Sequence, residues 1–307
     1  MRPILALFAV SAVWVPHLAR ADGAASSPSS FEADIAAWRA NRQEGLRSES
    51  GWLSLVGLYW LHEGENRFGA DPQGDIVLPA GSAPPSAGSF FLEHGKVRVT
   101  AEAGAVLTLA GAPVVTHDDL QGDDRPTPDK LGLGDLSLQV IRRGQRVGIR
   151  VKSPNTQARR QFRGLDYFPA SESYRVTARF VPARAARKIP LATVIGTVEP
   201  MTAPGTLEFT LGGRTFHLDP VLEGDDAKEL FIIFRDETAG HETYPAGRFL
   251  YAELPRDGKV VLDFNKAENP PCAFTDFATC PLPPRQNILP VRIEAGEKRY
   301  AGGEHRQ

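Results

Sequence analysis

"GTLEFTLGGRTFHLD", from Gly205 to Asp219, reads as two amphipathic strands joined by two glycines. Leu207, Phe209 and Leu211 alternate with polar residues before the break, and Phe216 and Leu218 do so after it. A period of two places each apolar set on one face of a strand. Gly212-Gly213 allows positive φ at both central positions, which a tight two-residue hairpin turn requires. Such a hairpin needs a second layer against which to bury its apolar face.

Its neighbours repeat the pattern. "YRVTARFV" from Tyr174 and "LATVIGTV" from Leu191 precede it, and "ELFIIFRD" from Glu229, "GRFLYAEL" from Gly247 and "KVVLDF" from Lys259 follow. Upstream lie "DIVLP" at Asp75, "SFFL" at Ser89, "KVRVT" at Lys96, "VLTLAG" at Val106, "LSLQVI" at Leu136 and "RVGIRV" at Arg146, with "RRGQ" (142–145) as a hairpin turn. Short strands divided by Gly, Pro and Asp indicate a sandwich or barrel. "SPNTQARRQFRGLDYFPASES", from Ser153 to Ser173, breaks the rhythm. The expected fold is mainly β: a β-sandwich over 53–152, a junction over 153–173, and a second β-rich sandwich or barrel over 174–307. One helix is expected within 22–52. Ser29 and Glu32 form a capping box, Phe31, Ile35 and Trp38 share a face, and the end falls near Ser48 to Gly51.

The first residues, Arg2, "ILALFAVSAVWV" and Ala19-Arg20-Ala21, have the form of a secretory signal peptide over 1–21. The apolar run is shorter than the roughly 20 residues of a membrane span. A periplasmic or secreted mature chain with no span after cleavage is therefore expected. A formal net charge of −2 argues against nucleic acid as a partner. The basic run "ARAARK" (183–188) and the acidic run from His117 to Asp129 read as solvated loops.

No nucleophile elbow, phosphate-binding glycine loop, dinucleotide fingerprint or zinc-helix motif occurs, so metal and cofactor stay unassigned. Cys272 and Cys280, in a proline-rich stretch of an exported chain, read as a disulfide. Zinc or a nucleophilic thiol, with His217 or His241 nearby in space, is the alternative.

"RDETAGHETYPAGRF" (235–249) concentrates polar chemistry between two apolar strands. If it faces the stretch after "KVVLDF", Arg248 is the candidate anion clamp, and His241 and Glu242 are candidates for proton transfer or metal ligation. Tyr244, Asp263, Asn265 and Asn269 would orient the ligand. Alternatively, Arg248 pairs with Asp236 or Glu242 to fold the loop. Glu297 and Lys298 read as an exposed turn. The expected function is binding or acting on a small polar or anionic ligand in the second domain. A noncatalytic scaffold using Trp52, Leu58, Tyr59 and Trp60 as a contact surface is the alternative.

"GWLSLVGLYWLHEGENRFG", "DETAGHETYPAGRFL", "LDFNKAENPPCAFTDFATCPLPP" and "EAGEK", in this order, resemble the bacterial and archaeal domain-of-unknown-function family sixteen-eighty-four. That resemblance brings no established activity. Glu268 stands where the family pattern has an aromatic residue, and Ile288 where it has Arg, so a ligand touched there would differ. Residues 66–99 are similar in rhythm to forkhead-associated domains, β-sandwiches that bind phosphothreonine. Ala70 replaces the phosphate-binding Arg and no Ser-x-x-His follows, so the resemblance implies the fold and not phosphopeptide binding.

Overall fold

The computed structural model describes residues 29–302, so the signal-peptide reading of residues 1–21 lies outside the described residues. The hairpin forms as its alternation requires. Leu211 pairs with Arg214, and Gly212 and Gly213 between them take φ of 57° and 76°. Leu207, Phe209, Phe216 and Leu218 are buried, whereas Glu208 and His217 meet on the outer face at 3.3 Å.

Two sheets share the first core. One has the order Leu55–Trp60, Arg146–Lys152, Leu136–Arg143, Leu131–Leu133, Leu107–Leu109, Ala112–Pro113. The other runs Ile76–Val77, Gly64–Gly69, Gly88–Glu93, Lys96–Ala101, Thr116–His117. Leu138, Val140, Ile149 and Val151 from the first pack with Phe68, Phe90, Val97 and Val99 from the second. A sandwich is the consequence, because each sheet has one apolar face to bury.

A second core joins a four-stranded sheet, ordered Arg214–Leu218, Val198–Leu211, Arg175–Ala192, Lys259–Asp263, to the two-stranded ribbon Glu229–Phe234 and Arg248–Glu253. Phe209, Phe216 and Leu262 meet Leu230, Ile232, Phe234 and Leu250 there. The protein is thus mainly β.

Two expectations need correction here. "ARAARK" is part of the long strand Arg175–Ala192, not a loop, and "LATVIGTV" is the turn at that strand's tip. A register shift between Pro182 and Arg187 absorbs the proline that would otherwise interrupt pairing. It turns Arg187 onto Asp219 at 2.5 Å and Lys188 onto Thr202 at 2.7 Å.

The helix spans Ser30–Arg47 with the Ser29–Glu32 capping box formed. Phe31, Ile35 and Leu46 are buried, and Arg42 occupies the same face. Its guanidinium reaches Glu297 and the Asn269 carbonyl, each at 2.9 Å, docking the helix on the C-terminal segment. That segment holds only single helical turns at Phe264–Lys266, Pro271–Ala273 and Arg285–Asn287. Buried asparagines supply the missing ladder bonds. Asn287 accepts from the Asp219 amide at 2.8 Å and donates to the Asp219 and Ile233 carbonyls. Among the described residues no helix is long and apolar enough to cross a membrane.

Candidate functional site

Arg248 is not open to a ligand. Its side chain is 1% exposed and lies 3.1 Å from Asp236, and it donates to the Ile293 carbonyl at 2.9 Å and to that of Ala295. Burial lowers its pKa and Asp236 opposes that shift. A guanidinium so engaged folds the loop onto the C-terminal segment, and the anion-clamp expectation is corrected in favour of the Asp236 pairing.

The rest of the expected constellation is dispersed among structural tasks. His241 is exposed, and Glu242 pairs with Arg292 at 2.6 Å on the surface. Tyr244 donates to the Cys272 carbonyl at 3.1 Å. Asn265 binds both the amide and the carbonyl of Ser171 at 2.9 Å, and donates to Asp263 at 2.8 Å. Asn269 donates to the Lys298 carbonyl at 2.8 Å. These are contacts that buried turns need, because their backbone groups lack ladder partners. Glu297 overturns the exposed-turn expectation: it is fully buried, taking the Asn269 amide at 2.7 Å and Arg42 Nε at 2.9 Å.

Cys272 and Cys280 are adjacent but free. The Cys272 amide donates to Cys280 Sγ at 3.1 Å, and the contact with Cys280 lowers the Cys272 thiol pKa while burial raises that of Cys280. His217 sits on the outer face of the hairpin with Glu208. Among the described residues no group of three or more His, Cys, Asp or Glu is placed to hold a metal ion. Nor do Trp52, Leu58, Tyr59 and Trp60 form a free aromatic surface. All four are half-buried, Arg146 covers the Trp60 ring at 4.0 Å, and Tyr59 donates to the Val77 carbonyl.

A concave site lies elsewhere, between the two sandwiches. This cleft of about 340 Å³ has Trp52, Asp123 and Arg143 on the first-sandwich side and Glu199, Met201 and Glu223 on the other. Phe231, Phe249, Tyr251 and Glu268 complete the wall, with Thr279 and Cys280 of the proline-rich segment at its edge. Tyr251 and Glu268 also line a second, larger concavity of about 680 Å³. Asp123 belongs to the acidic run expected to be a solvated loop, yet it is anchored: it accepts the Arg142 amide at 2.9 Å and pairs with Arg143 at 2.8 Å.

The cleft's electrostatics are unusual. Burial raises the Glu268 pKa to about 7; Arg42, 3.3 Å away, opposes the shift, and Glu297 and Glu223 add to it. Partial desolvation raises Glu199 and Glu223 as well, and burial raises Tyr251, which is hydrogen-bonded to Glu223. Behind Trp52, Arg150 is buried with Nε and Nη2 unpartnered, and burial and Arg143 bring it down to about 10. Shifted groups around a cleft between two units are what binding and catalytic sites display. Arg42 and Glu268 had visible signals: a charged residue on an apolar helical stripe, and a departure from the family pattern. Glu199, Glu223 and Tyr251 had none.

Residues 160–298 match the model of a family described as "Protein of unknown function (DUF1684)". Among solved structures, an uncharacterized protein from Haloarcula marismortui is 33% identical, with 50% of this chain and 85% of that chain covered and a TM-score of 0.41. A forkhead-associated domain from work on phosphothreonine-dependent interactions is 17% identical, covering 31% of this chain and 92% of that chain, with a TM-score of 0.23. The FhaA forkhead-associated domain, in complex with the intracellular domain of Rv3910, gives 17%, 31%, 97% and 0.23 in the same order. No curated protein matches. The family model thus supports placing residues 160–298 of this chain in that family of unknown function.

Proposed function

We propose that this is an exported protein that binds or acts on a small polar ligand, and that the ligand occupies the cleft between the two sandwiches. The observation that carries the reading is the convergence of Glu199, Glu223, Glu268, Tyr251 and Trp52 on one cleft of about 340 Å³. That volume lies at the small end of ordinary ligand pockets. The second domain supplies most of the wall, as the sequence reading expects of the site, but through different residues. Export rests on the signal-like N-terminus, and a disulfide between the adjacent Cys272 and Cys280 would follow from it. We assign the first sandwich a forkhead-associated-like fold without phosphothreonine binding, because Ala70 leaves it without the guanidinium fork.

A thermal-shift screen of sugars, amines, amino acids and organic acids tests the reading, since a ligand of the native state raises the melting temperature. One class should stabilise the protein, and Met201→Trp, which fills the cleft from one wall, should abolish the effect. No stabilisation by any class, or stabilisation that survives Met201→Trp, refutes it.

A further inference from the structure

Three features around Tyr251 bear on what kind of ligand this cleft would take. First, one cation serves two carboxylates. Arg42 Nε stands 2.9 Å from the fully buried Glu297 and 3.3 Å from Glu268, so the guanidinium of the helix cannot neutralise both. Glu268 is itself fixed, because its amide and carbonyl pair with Phe249 at 2.8 and 2.9 Å. Second, Glu223 approaches the same place from the loop before the ribbon. It has no ion-pair partner among the described residues, only the Tyr251 hydroxyl. Third, the Tyr251 ring is 38% exposed and stacked on Phe231 at 5.0 Å and 15°, with Phe249 edge-on to Phe231 at 4.8 Å. A rigid aromatic ring therefore shares the cleft wall with the two carboxylates, its hydroxyl on Glu223.

We propose that the cleft takes a small organic ammonium ion, seated between Glu268 and Glu223 against the Tyr251 ring. The assignment rests on the ligand-binding reading above and narrows it. Glu268 shares its one cation with the buried Glu297, and Glu223 adds its charge from the exposed rim, so a further cation relieves the repulsion on Glu268. An ammonium also gains from an aromatic face when desolvated. A neutral polyol can donate hydrogen bonds but leaves the excess negative charge in place. An anion would find no free clamp among the described residues that line the cleft: Arg143 is committed to Asp123 at 2.8 Å and to Thr279 at 2.8 Å, Arg42 to its two glutamates, and the unpartnered Arg150 lies behind Trp52 and does not line it. The proton that Glu268 carries near neutral pH, held there first by burial and then by Glu297 and Glu223 against the opposing pull of Arg42, is the ammonium's competitor.

The experiment is isothermal titration of the mature full-length protein at about pH 8, where Glu268 is ionised. Ethanolamine, glucosamine and spermidine are the amines, and ethylene glycol and glucose the neutral counterparts. At least one amine should bind tenfold or more tightly than its counterpart, and which one does so separates a simple amine, an amino sugar and a polyamine as the source. Binding should weaken at least tenfold in Glu268→Gln and again in wild type at about pH 5.5, where the proton competes. Should Glu268→Gln fail to fold, Glu223→Gln gives the same comparison. Glucose binding as tightly as glucosamine, or amine binding unchanged in both variants, overturns the ammonium assignment while leaving a polar-ligand cleft standing. Absence of binding by every amine overturns it too; absence of any ligand from the wider thermal-shift screen removes the cleft reading itself.

Discussion

Arg248 stands 3.1 Å from Asp236 with both side chains 1% exposed, and the pair fastens the 235–249 loop to the C-terminal segment. Asp236 also accepts the Ile293 amide at 2.8 Å and the Thr238 hydroxyl at 2.9 Å, while Arg248 donates to the Ile293 and Ala295 carbonyls. Both charges are thus hydrogen-bonded as well as paired, the condition under which a buried ion pair persists.

Arg248→Met should therefore destabilise the fold by about 3–5 kcal/mol, since it leaves the Asp236 carboxylate buried without its partner. Urea denaturation at neutral pH measures this. The loss should be the same with and without any stabilising ligand, whereas a residue that touches ligand would change the ligand's effect as well.

Glu268 predicts the opposite sign of pH dependence from a salt-bridged surface carboxylate. Its folded pKa, about 7, lies above the unfolded value of about 4.3. Stability from this group is thus complete below the unfolded value and declines as pH rises from there towards 7. Glu268→Gln, which cannot ionise, should match wild type near pH 4.5 and exceed it by about 2 kcal/mol near pH 8, a figure kept below the full linkage value because the side chain is 16% exposed. Melting temperatures across that range would show wild type falling relative to the variant; parallel curves would refute the shift.

The hairpin at Gly212-Gly213 and the Ser29 cap were legible because each is specified by a few consecutive residues whose backbone demands are local. The burial of Arg248 was not, because that depends on carbonyls more than forty residues away in the C-terminal segment. Asn265 and Asn269 were read as orienting a ligand, but whether an amide faces a ligand or replaces a ladder bond is settled only by what packs over it. Glu199, Glu223, Glu268 and Trp52 come from four segments joined by the packing of the sandwiches, and no spacing along the chain encodes that meeting. "LATVIGTV" misled because its β-branched residues favour a strand, while hydrogen bonding between Thr193 and Thr197 closes a turn there.

Gly296, in "EAGEK", is the backbone position on which the buried Glu297 depends. Its φ is +79°, and a Cβ there would meet the Ala267 carbonyl oxygen at 2.4 Å and that of Phe264 at 2.8 Å. Gly296→Ala should cost about 2 kcal/mol or more, combining left-handed strain with displacement of backbone. Gly95→Ala, at φ +79° with nothing within 4 Å, should lose only the strain part, about 1 kcal/mol. Equal losses by chemical denaturation would show that the close approach at Gly296 does not matter.

The cysteines provide the last test, and the compartment with it. Cys272 and Cys280 are free thiols that lie close together, the Cys272 amide 3.1 Å from Cys280 Sγ, in a segment otherwise held by asparagine amides and single helical turns. Protein exported to an oxidising compartment and purified without reductant should show no reactive thiol under denaturing conditions, and two after reduction. Closing so short a loop is worth about 2.5 kcal/mol in the chain-entropy account. Oxidised protein should accordingly exceed the Cys272→Ser, Cys280→Ser double variant in stability by about that amount, and the two should converge in reductant. Bonding would also fix Thr279 and Pro281 at the edge of the cleft, so ligand stabilisation should weaken in the double variant. Two labelled thiols in the unreduced exported protein would disprove the bond, and equal stability of oxidised protein and double variant would show that it contributes nothing to holding the segment.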